Sequence, residues 1–157
     1  MDNVRVTITP ATAADLRDVR DLLREYEQWV GMDLTFQQFD AEVAALPGAY
    51  APPDGALLIA RIDGEPAGMV ALRLLTPSRA EMKRLFVRSS SRGLGLGRLL
   101  AERIIAEARA RAYRDIVLDT LPPMAGAQRL YEALGFRDIA AYYPSAIAGT
   151  RYMAMRL

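Results

Sequence analysis

The 157-residue chain contains no cysteine and no histidine. Without cysteine, disulfides, thiolate metal sites and cysteine nucleophiles are excluded. Without histidine, the chain lacks the commonest general base, the usual partner of a catalytic serine and the commonest metal ligand. Any catalysis must therefore rest on carboxylates, tyrosine, lysine, arginine, backbone groups or a bound cofactor, and no metal is expected.

The sequence also lacks a long apolar run and a strong net charge. The N-terminal "MDNVRVTITP" has no apolar signal core, and no run approaches the ~20 residues of a membrane span. The formal net charge is +1, so neither nucleic acid nor a membrane is an expected partner, and a cytoplasmic location is the default expectation. A hydrophobic content of 52% predicts one ordinary domain over residues 1–157.

Local charge is less even than the total. Acidic residues dominate positions 15–54 and basic residues dominate positions 83–114. This separation favours an anionic ligand at the middle of the chain and a cationic one near the front, unless the charges only solvate helix faces. The acidic residues at the front are Asp15, Asp18, Asp21, Glu25, Glu27, Asp33, Asp40, Glu42 and Asp54.

Hydrophobic periodicity predicts the element order β-α-α-β-β-β-α-β-α-β-β. Gly31 is expected to end the first helix, and the second lies in "TFQQFDAEVAAL", with Phe36, Phe39 and Val43 on one side. The closing strands are "FRDIAAYY" and "RYMAMRL". Hairpins in the middle and a β-α-β crossover after them predict one mixed sheet with helices on both faces.

The stretch "RSSSRGLGLGRLLAERI" places Gly93, Gly95 and Gly97 between a strand and a long amphipathic helix. A helix N-terminus presents unpaired N–H groups and a positive dipole end, and phosphate binds there readily. Glycines allow close approach of the backbone to phosphate oxygens, and Arg92 and Arg98 can add charged contacts. The stretch therefore predicts a phosphate or pyrophosphate site.

Three motifs compete for this loop. A Walker A loop fails because Arg98 follows Gly97, and a dinucleotide fingerprint fails because its last glycine falls on Arg98 or Leu100. The third pattern, R-x-x-G-x-G at Arg92, Gly95 and Gly97, resembles the acetyl-coenzyme A loop of the GNAT family of N-acetyltransferases. A glycine-rich turn without a ligand is the remaining alternative.

A second stretch, "AQRLYEALGF", resembles the other GNAT signature, and the resemblance extends from Val4 to Leu157. It implies an α/β (mixed α+β) fold with a central, mostly antiparallel mixed sheet that is splayed at the coenzyme site. It also implies acetyl-coenzyme A as co-substrate and transfer to a primary amine of a small molecule or peptide. The acidic front favours a cationic acceptor, and the late strand pair offers an edge for a homodimer.

The resemblance also implies which residues hold the coenzyme. Backbone groups of Leu85 and Val87 would pair with the pantetheine arm in the splayed wedge, with Phe86 alongside. The residues whose amides would hold the pyrophosphate are Arg92, Gly93, Leu94, Gly95, Leu96, Gly97 and Arg98. Met124 stands where many members carry an asparagine, so the corresponding contact is lost or supplied by Thr120.

Two residues are expected to move protons. By resemblance, Tyr131 donates a proton to the departing thiolate, which suits a phenol with a reference pKa of ~10. By helical spacing alone, it would belong to the apolar stripe of Ala127, Leu130 and Leu134.

An attacking amine must lose its proton, and without histidine a carboxylate is the expected base. We predict Glu81 for this role, with an exposed glutamate at a strand start as the equal alternative, and Glu25 and Glu27 as weaker candidates. Direct attack in a ternary complex is favoured because no activated covalent nucleophile exists. The rival functions are a non-catalytic acyl-coenzyme A-binding or regulatory module and a nucleotide-phosphate enzyme.

Overall fold

The computed structural model describes residues 4–31 and 38–157. Its strands form one sheet in the order β1-β2-β3-β4-β5-β7-β6, and among them only β4 and β5 run parallel. The elements are β1 (Val6–Pro10), α1 (Leu16–Val30), α2 (Phe39–Ala45), β2 (Ala56–Ile62), β3 (Glu65–Thr76), β4 (Arg79–Val87), α3 (Leu96–Ala110), β5 (Asp115–Thr120), α4 (Ala125–Leu134), β6 (Arg137–Asp138) and β7 (Arg151–Arg156).

The predicted fold class is confirmed, and so is the element order over the described residues. Gly31 ends α1 in the left-handed conformation, as expected. Phe36 of the second predicted helix lies outside the described residues, and α2 begins at Phe39. The predicted closing strand "FRDIAAYY" is too long, because only Arg137 and Asp138 pair with β7.

Two apolar cores lie on opposite faces of the sheet because successive strand side chains alternate. Leu58 and Val70 belong to the core beneath α3 and α4. Ile59 and Met69, their neighbours in sequence, belong to the core beneath α1 and α2. The sheet is therefore covered on both sides. None of the helices in the described ranges is both long and apolar enough for a membrane span.

Strands β4 and β5 separate partway along their length. They pair only from Arg79–Asp115 to Glu81–Val117, although β4 continues to Val87 and β5 to Thr120. Beyond this point, β4 carries a bulge: Val70 of β3 lies opposite both Arg84 and Leu85. A bulge bends its strand and increases its twist, so β4 turns away from β5 and a wedge opens between them.

The bulge is fastened by a buried ion pair. Arg84 has a φ of +60°, and its side chain is only 2% exposed. Its guanidinium donates to both oxygens of Glu42 on α2, at 3.0 and 2.9 Å, and lies 4.9 Å from the centre of the Phe39 ring. An unpaired charge at this depth would be costly, so Glu42 fixes α2 over the bulge.

Candidate active site

The wedge between β4 and β5 is a narrow pocket whose walls come from both strands. Tyr131 of α4 lines it, together with Leu85 and Lys83 of β4 and Asp119 of β5. Tyr131, predicted from a motif on a separate helix, therefore lies where the splayed strands expose their edges. The parallel pairing explains this position, because β5 delivers the chain to α4 at the open end of the wedge.

At the mouth of the wedge, the glycine loop forms the N-terminus of α3. Gly95 is the N-cap residue with a φ of +71°, and Gly93 has a φ of +88°. A Cβ added at either position would meet no protein atom within 4 Å. The first hydrogen bond of the helix runs from Leu99 N to Gly95 O at 3.2 Å, so the preceding amides have no carbonyl one turn earlier to bind.

Gly97 differs from the other two glycines. It lies inside the first turn of α3, and a Cβ there would make ordinary contacts at 3.9 Å with Leu130 and Val87. Its lack of a side chain is therefore not required by backbone conformation, and it leaves room for a ligand to approach the backbone closely. The loop as a whole presents bare main chain and a positive dipole end to solvent, which fits the diphosphate of coenzyme A.

The two loop arginines have different surroundings. Arg92 donates from Nε to Val87 O at 3.2 Å, and its guanidinium lies 4.9 Å from the ring centre of Trp29 at the end of α1. Arg98 pairs with Glu102 on the same helix at 2.8 Å, and both side chains are about half exposed. Arg92 is thus held at the wedge by a cation–π contact, whereas Arg98 lies on the helix surface.

The three predicted strand residues all follow the last β4–β5 pair. Phe86 is buried against Tyr26 and Trp29 on the α1 side, at ring distances of 6.0 and 5.8 Å. Leu85 and Val87 are partly buried against the opposite core. Since β4 pairs with β5 only as far as Glu81, the backbone of this segment borders the wedge, as the sequence predicts.

The position of Tyr131 is compatible with both interpretations of the sequence. Its side chain is 4% exposed and belongs to the core that includes Leu130 and Leu134, and its ring also lines the wedge. Within the described residues its hydroxyl has no hydrogen-bond partner. Burial raises its pKa above the ordinary value, and the nearby charge of Asp119 adds to the shift. The phenol therefore holds its proton at neutral pH and has a free donor.

Glu81 is buried rather than exposed, with only 1% of the residue accessible. Arg73 of β3 donates from Nε to Oε1 at 2.6 Å, and the Tyr142 hydroxyl donates to Oε2 at 2.5 Å. Both carboxylate oxygens are thus occupied. Glu81 can take a proton only if one of these two donors moves aside.

A second carboxylate, Asp119, whose side chain is 9% exposed, was not predicted as a site residue. It accepts a hydrogen bond from the Tyr143 hydroxyl, and Lys83 Nζ lies 4.0 Å from its Oδ1. Burial and this hydrogen bond to Asp119 raise the pKa of Tyr143. The only sequence signal was alternation: Glu81 and Lys83 share one face of β4, and Asp119 shares that face on β5 because Glu81 pairs with Val117.

A cavity of about 370 Å³ lies on the α2 side of the sheet. Its polar lining includes Arg73, Glu81, Lys83 and Tyr143, and its apolar wall comes from α2 and the turn after it. Lys83 lines both this cavity and the wedge. Lys83, beside Asp119, is therefore part of the wall of both spaces.

The acidic residues at the front of the chain are largely paired with arginines. Arg61 binds Asp15 and Asp18, each at 2.8 Å. The remaining pairs are Arg88–Glu25, Arg24–Glu27, Arg24–Asp40 and Arg84–Glu42. Of these paired acids, only Glu42 lines the cavity, so the acids of the front that the structure describes do not supply it with free negative charge.

Thr120 and Met124 lie between β5 and α4. Thr120 is fully buried, and in residues 4–31 and 38–157 its Oγ1 is the buried side-chain polar atom that lacks a hydrogen-bond partner. Met124 occupies the N-cap position of α4 without a side-chain cap and is buried in the α1 core. An orphaned buried hydroxyl is costly, which fits a site where a coenzyme amide completes the pairing.

Comparison with known proteins agrees with this geometry. A family model for the acetyltransferase (GNAT) family matches residues 16–136. The chain belongs to the GNAT family. An uncharacterized N-acetyltransferase of Schizosaccharomyces pombe is 43% identical over 145 residues, which cover 91% of this chain and 89% of the relative.

Solved GNAT structures share the fold. An acetyltransferase of Staphylococcus aureus matches with a TM-score of 0.81 at 18% identity, over 97% of this chain and 99% of that one. An acetyltransferase of Salmonella typhimurium, solved with its cofactor acetyl-CoA, matches with a TM-score of 0.68 at 21% identity, over 96% and 93%.

The GNAT protein is accordingly an acyltransferase, and the glycine loop, the wedge and Thr120 fit acetyl-coenzyme A, the co-substrate that the family resemblance implies. No cluster of three or more potential metal ligands occurs within the described ranges.

Proposed function

We propose that the protein transfers an acetyl group from acetyl-coenzyme A to the primary amine of a small molecule or peptide. One observation carries this proposal: Lys83 lines both the coenzyme wedge and the cavity, with Tyr131 and Asp119 in the wall of the wedge and Glu81 in the wall of the cavity. An amine in the cavity would reach the end of the wedge with a proton donor and a proton acceptor both nearby.

The coenzyme is held mainly by main chain. The first amides of α3 and the helix dipole bind its diphosphate, and Arg92, fixed by Trp29 and Val87 O, adds charge. Backbone groups of Leu85 and Val87 pair with the pantetheine arm along the wedge. Thr120 offers its unpaired hydroxyl in place of the asparagine that many members carry at the position of Met124. When bound, the coenzyme supplies the acetyl group as an activated thioester.

Tyr131 protonates the departing thiolate. Its hydroxyl is free of intramolecular hydrogen bonds to the described residues, and its raised pKa keeps it protonated at neutral pH. A positioned proton donor typically contributes about 10²–10⁴-fold to rate.

Two carboxylates can take the proton of the attacking amine. Glu81 is the residue predicted from the sequence, but Arg73 and Tyr142 occupy both of its oxygens. Asp119 holds one phenol and lies 4.0 Å from Lys83, so it is less occupied and nearer the wedge. Asp119 is therefore a second candidate base. Direct attack by the amine follows in either case, since the chain has neither cysteine nor histidine to form an acyl-enzyme.

The test is release of coenzyme A thiol from acetyl-coenzyme A across a panel of primary amines, with coenzyme binding measured separately by calorimetry. We expect amine-dependent thiol release together with formation of the N-acetyl product, seen by mass spectrometry. Coenzyme binding without thiol release from any amine would contradict the proposal and favour a non-catalytic acyl-coenzyme A-binding module.

A further inference from the structure

We propose that the acceptor amine also carries a carboxylate, which Arg73 and Lys83 bind at the floor of the cavity. This inference rests on the proposed function, because it assigns a substrate class to the same site. The cavity adds an apolar wall of Ala41, Ala45, Pro47 and Tyr50. The acceptor is thus of amino-acid type: an amine, a carboxylate close to it, and an apolar body.

The carboxylates of the cavity are already neutralised. Arg84 binds Glu42 through two hydrogen bonds, and Arg73 and Tyr142 hold Glu81. Neither glutamate is free to bind a further cationic group. The sequence favoured a cationic acceptor, but the described residues that line the cavity offer no unpaired carboxylate to bind one.

Two cations of the cavity have donors to spare. Arg73 donates a hydrogen bond to Glu81 through Nε only, and its terminal nitrogens bind no residue in the described part of the chain. Its side chain is 38% exposed. Lys83, the single lysine of the sequence, is 11% exposed, and its nearest recorded carboxylate is Asp119 at 4.0 Å. A largely buried ammonium without a close hydrogen-bonded anion favours an anionic ligand.

The strand register places these two cations together. Arg73 pairs with Glu81 and Ala71 pairs with Lys83, so Arg73 and Lys83 are diagonal neighbours on one face of the sheet, within reach of one carboxylate for such long side chains. Lys83 also borders Asp119. An α-amino acid separates its amine from its carboxylate by one carbon, which matches a cation and a proton acceptor placed side by side.

The experiment compares matched acceptors on the wild-type enzyme with acetyl-coenzyme A. Each pair consists of an α-amino acid and the amine that lacks only its carboxylate, such as leucine with 3-methylbutylamine and phenylalanine with phenethylamine. We expect kcat/KM to be about ten- to hundredfold higher for the carboxylated member, since a hydrogen bond to a charged group is usually worth that factor.

Variants then assign the effect to the two cations. Lys83→Met and Arg73→Gln should raise KM for the carboxylated acceptors. The ratio of kcat/KM between the two members of each pair should then fall towards one. Lys83→Arg should restore most of that ratio. Arg79→Gln is the matched control for Arg73→Gln: Arg79, on β4, is also bound to a carboxylate, Asp115, and has a similar exposure, but it does not line the cavity. It should leave the ratio unchanged.

A binding arm separates failure of this inference from failure of the proposed function. Leucine and 3-methylbutylamine are titrated calorimetrically into the enzyme saturated with coenzyme A, where no chemistry occurs. Tighter binding of leucine that is lost in Lys83→Met supports the inference even if no acceptor is acetylated. Equal or tighter binding of 3-methylbutylamine, or no binding of leucine, overturns it even if other amines are acetylated.

Discussion

The coenzyme side and the acceptor side of this protein are built in different ways. The coenzyme side uses main chain from one continuous segment, from the end of β4 through the glycine loop to the first turn of α3. The acceptor side uses side chains from β3, β4 and β5 and from the connection between β6 and β7. Tyr142 and Glu81, in contact there, are 61 residues apart in sequence.

This difference separates binding from specificity. A bare helix N-terminus binds a diphosphate whatever the rest of the chain does, so the same loop can serve many acceptors. The acceptor cavity depends on which side chains the sheet register and one connection bring together, so it can change without altering the coenzyme site. Substitutions on the two sides should therefore change different measured quantities.

Tyr131→Phe should have the largest effect on turnover, lowering kcat by about 10²–10⁴-fold because it removes the proton donor. Coenzyme affinity should be unchanged. Burial raises the pKa of Tyr131, so the phenol stays protonated through neutral pH, and wild-type kcat should show no basic limb from this residue below about pH 10. Steady-state kinetics over pH and calorimetry measure both quantities.

The control is Tyr113→Phe. Tyr113 is also buried and donates to Asp54 O at 2.8 Å, away from the wedge, so its loss should lower stability but leave kcat unchanged. Full activity in Tyr131→Phe would show that Tyr131 is only a core residue.

Removing the base should lower kcat/KM by about 10²-fold or more and abolish the acidic limb of its pH profile. Glu81→Gln and Asp119→Asn, profiled side by side, decide between the two candidates. We expect the limb to disappear in one variant and persist in the other. A limb that persists in both would remove both carboxylates from this role.

Gly95→Val should weaken coenzyme binding by about tenfold or more, because it places a β-branched side chain at a φ of +71° and crowds the diphosphate. Gly64→Val is the matched control: Gly64 has a φ of +85° and equally open surroundings, but it lies in the β2–β3 turn. Both variants should lose similar stability in thermal unfolding. Similar coenzyme affinities for the two would mean that the loop does not bind the diphosphate.

Thr120→Val should have the smallest effect, and its two consequences should have opposite signs. The free energy of unfolding without ligand should rise by up to about 1 kcal/mol, since an unpaired buried hydroxyl is replaced by a methyl group of similar shape. Coenzyme affinity should fall by about three- to tenfold. Denaturant unfolding and calorimetry measure the two.

Thr150→Val provides the opposite control, because the Thr150 hydroxyl donates to Ile147 O at 2.7 Å. That variant should lose stability without losing coenzyme affinity. If Thr120→Val destabilises the ligand-free protein, the Thr120 hydroxyl of the wild type already has a hydrogen-bond partner in that state.

The residues assigned to the coenzyme side could be chosen from the sequence because their signals are local. The spacing of Gly93, Gly95 and Gly97 indicated the loop, and Tyr131 was identified from the residues around it in α4. The family resemblance predicted the splayed sheet, but it did not predict the physical cause of the splay. Nothing in "EMKRLFVR" marks Arg84 as the positive-φ residue of a bulge. Its conformation depends on Glu42 of α2, which is distant in sequence and holds the Arg84 side chain.

The acceptor side could not be predicted to the same degree. Arg73 and Lys83 become neighbours only through the register of β3 and β4. Tyr142 and Tyr143 lie in a segment that was predicted as a strand. Their hydroxyls instead bind Glu81 and Asp119, and the strand ends at Asp138. Front acids such as Glu25 were interpreted as free charges because their arginine partners are distant in sequence, as Arg88 is.

The assignment of the glycine loop depends above all on calorimetric titration of the wild-type protein with coenzyme A, and separately with ATP and NAD. We expect saturable binding of coenzyme A with one site per chain, and much weaker binding of the two nucleotides. An absence of heat with coenzyme A, together with tight binding of ATP or NAD, would contradict the assignment of the glycine loop and of the site built on it.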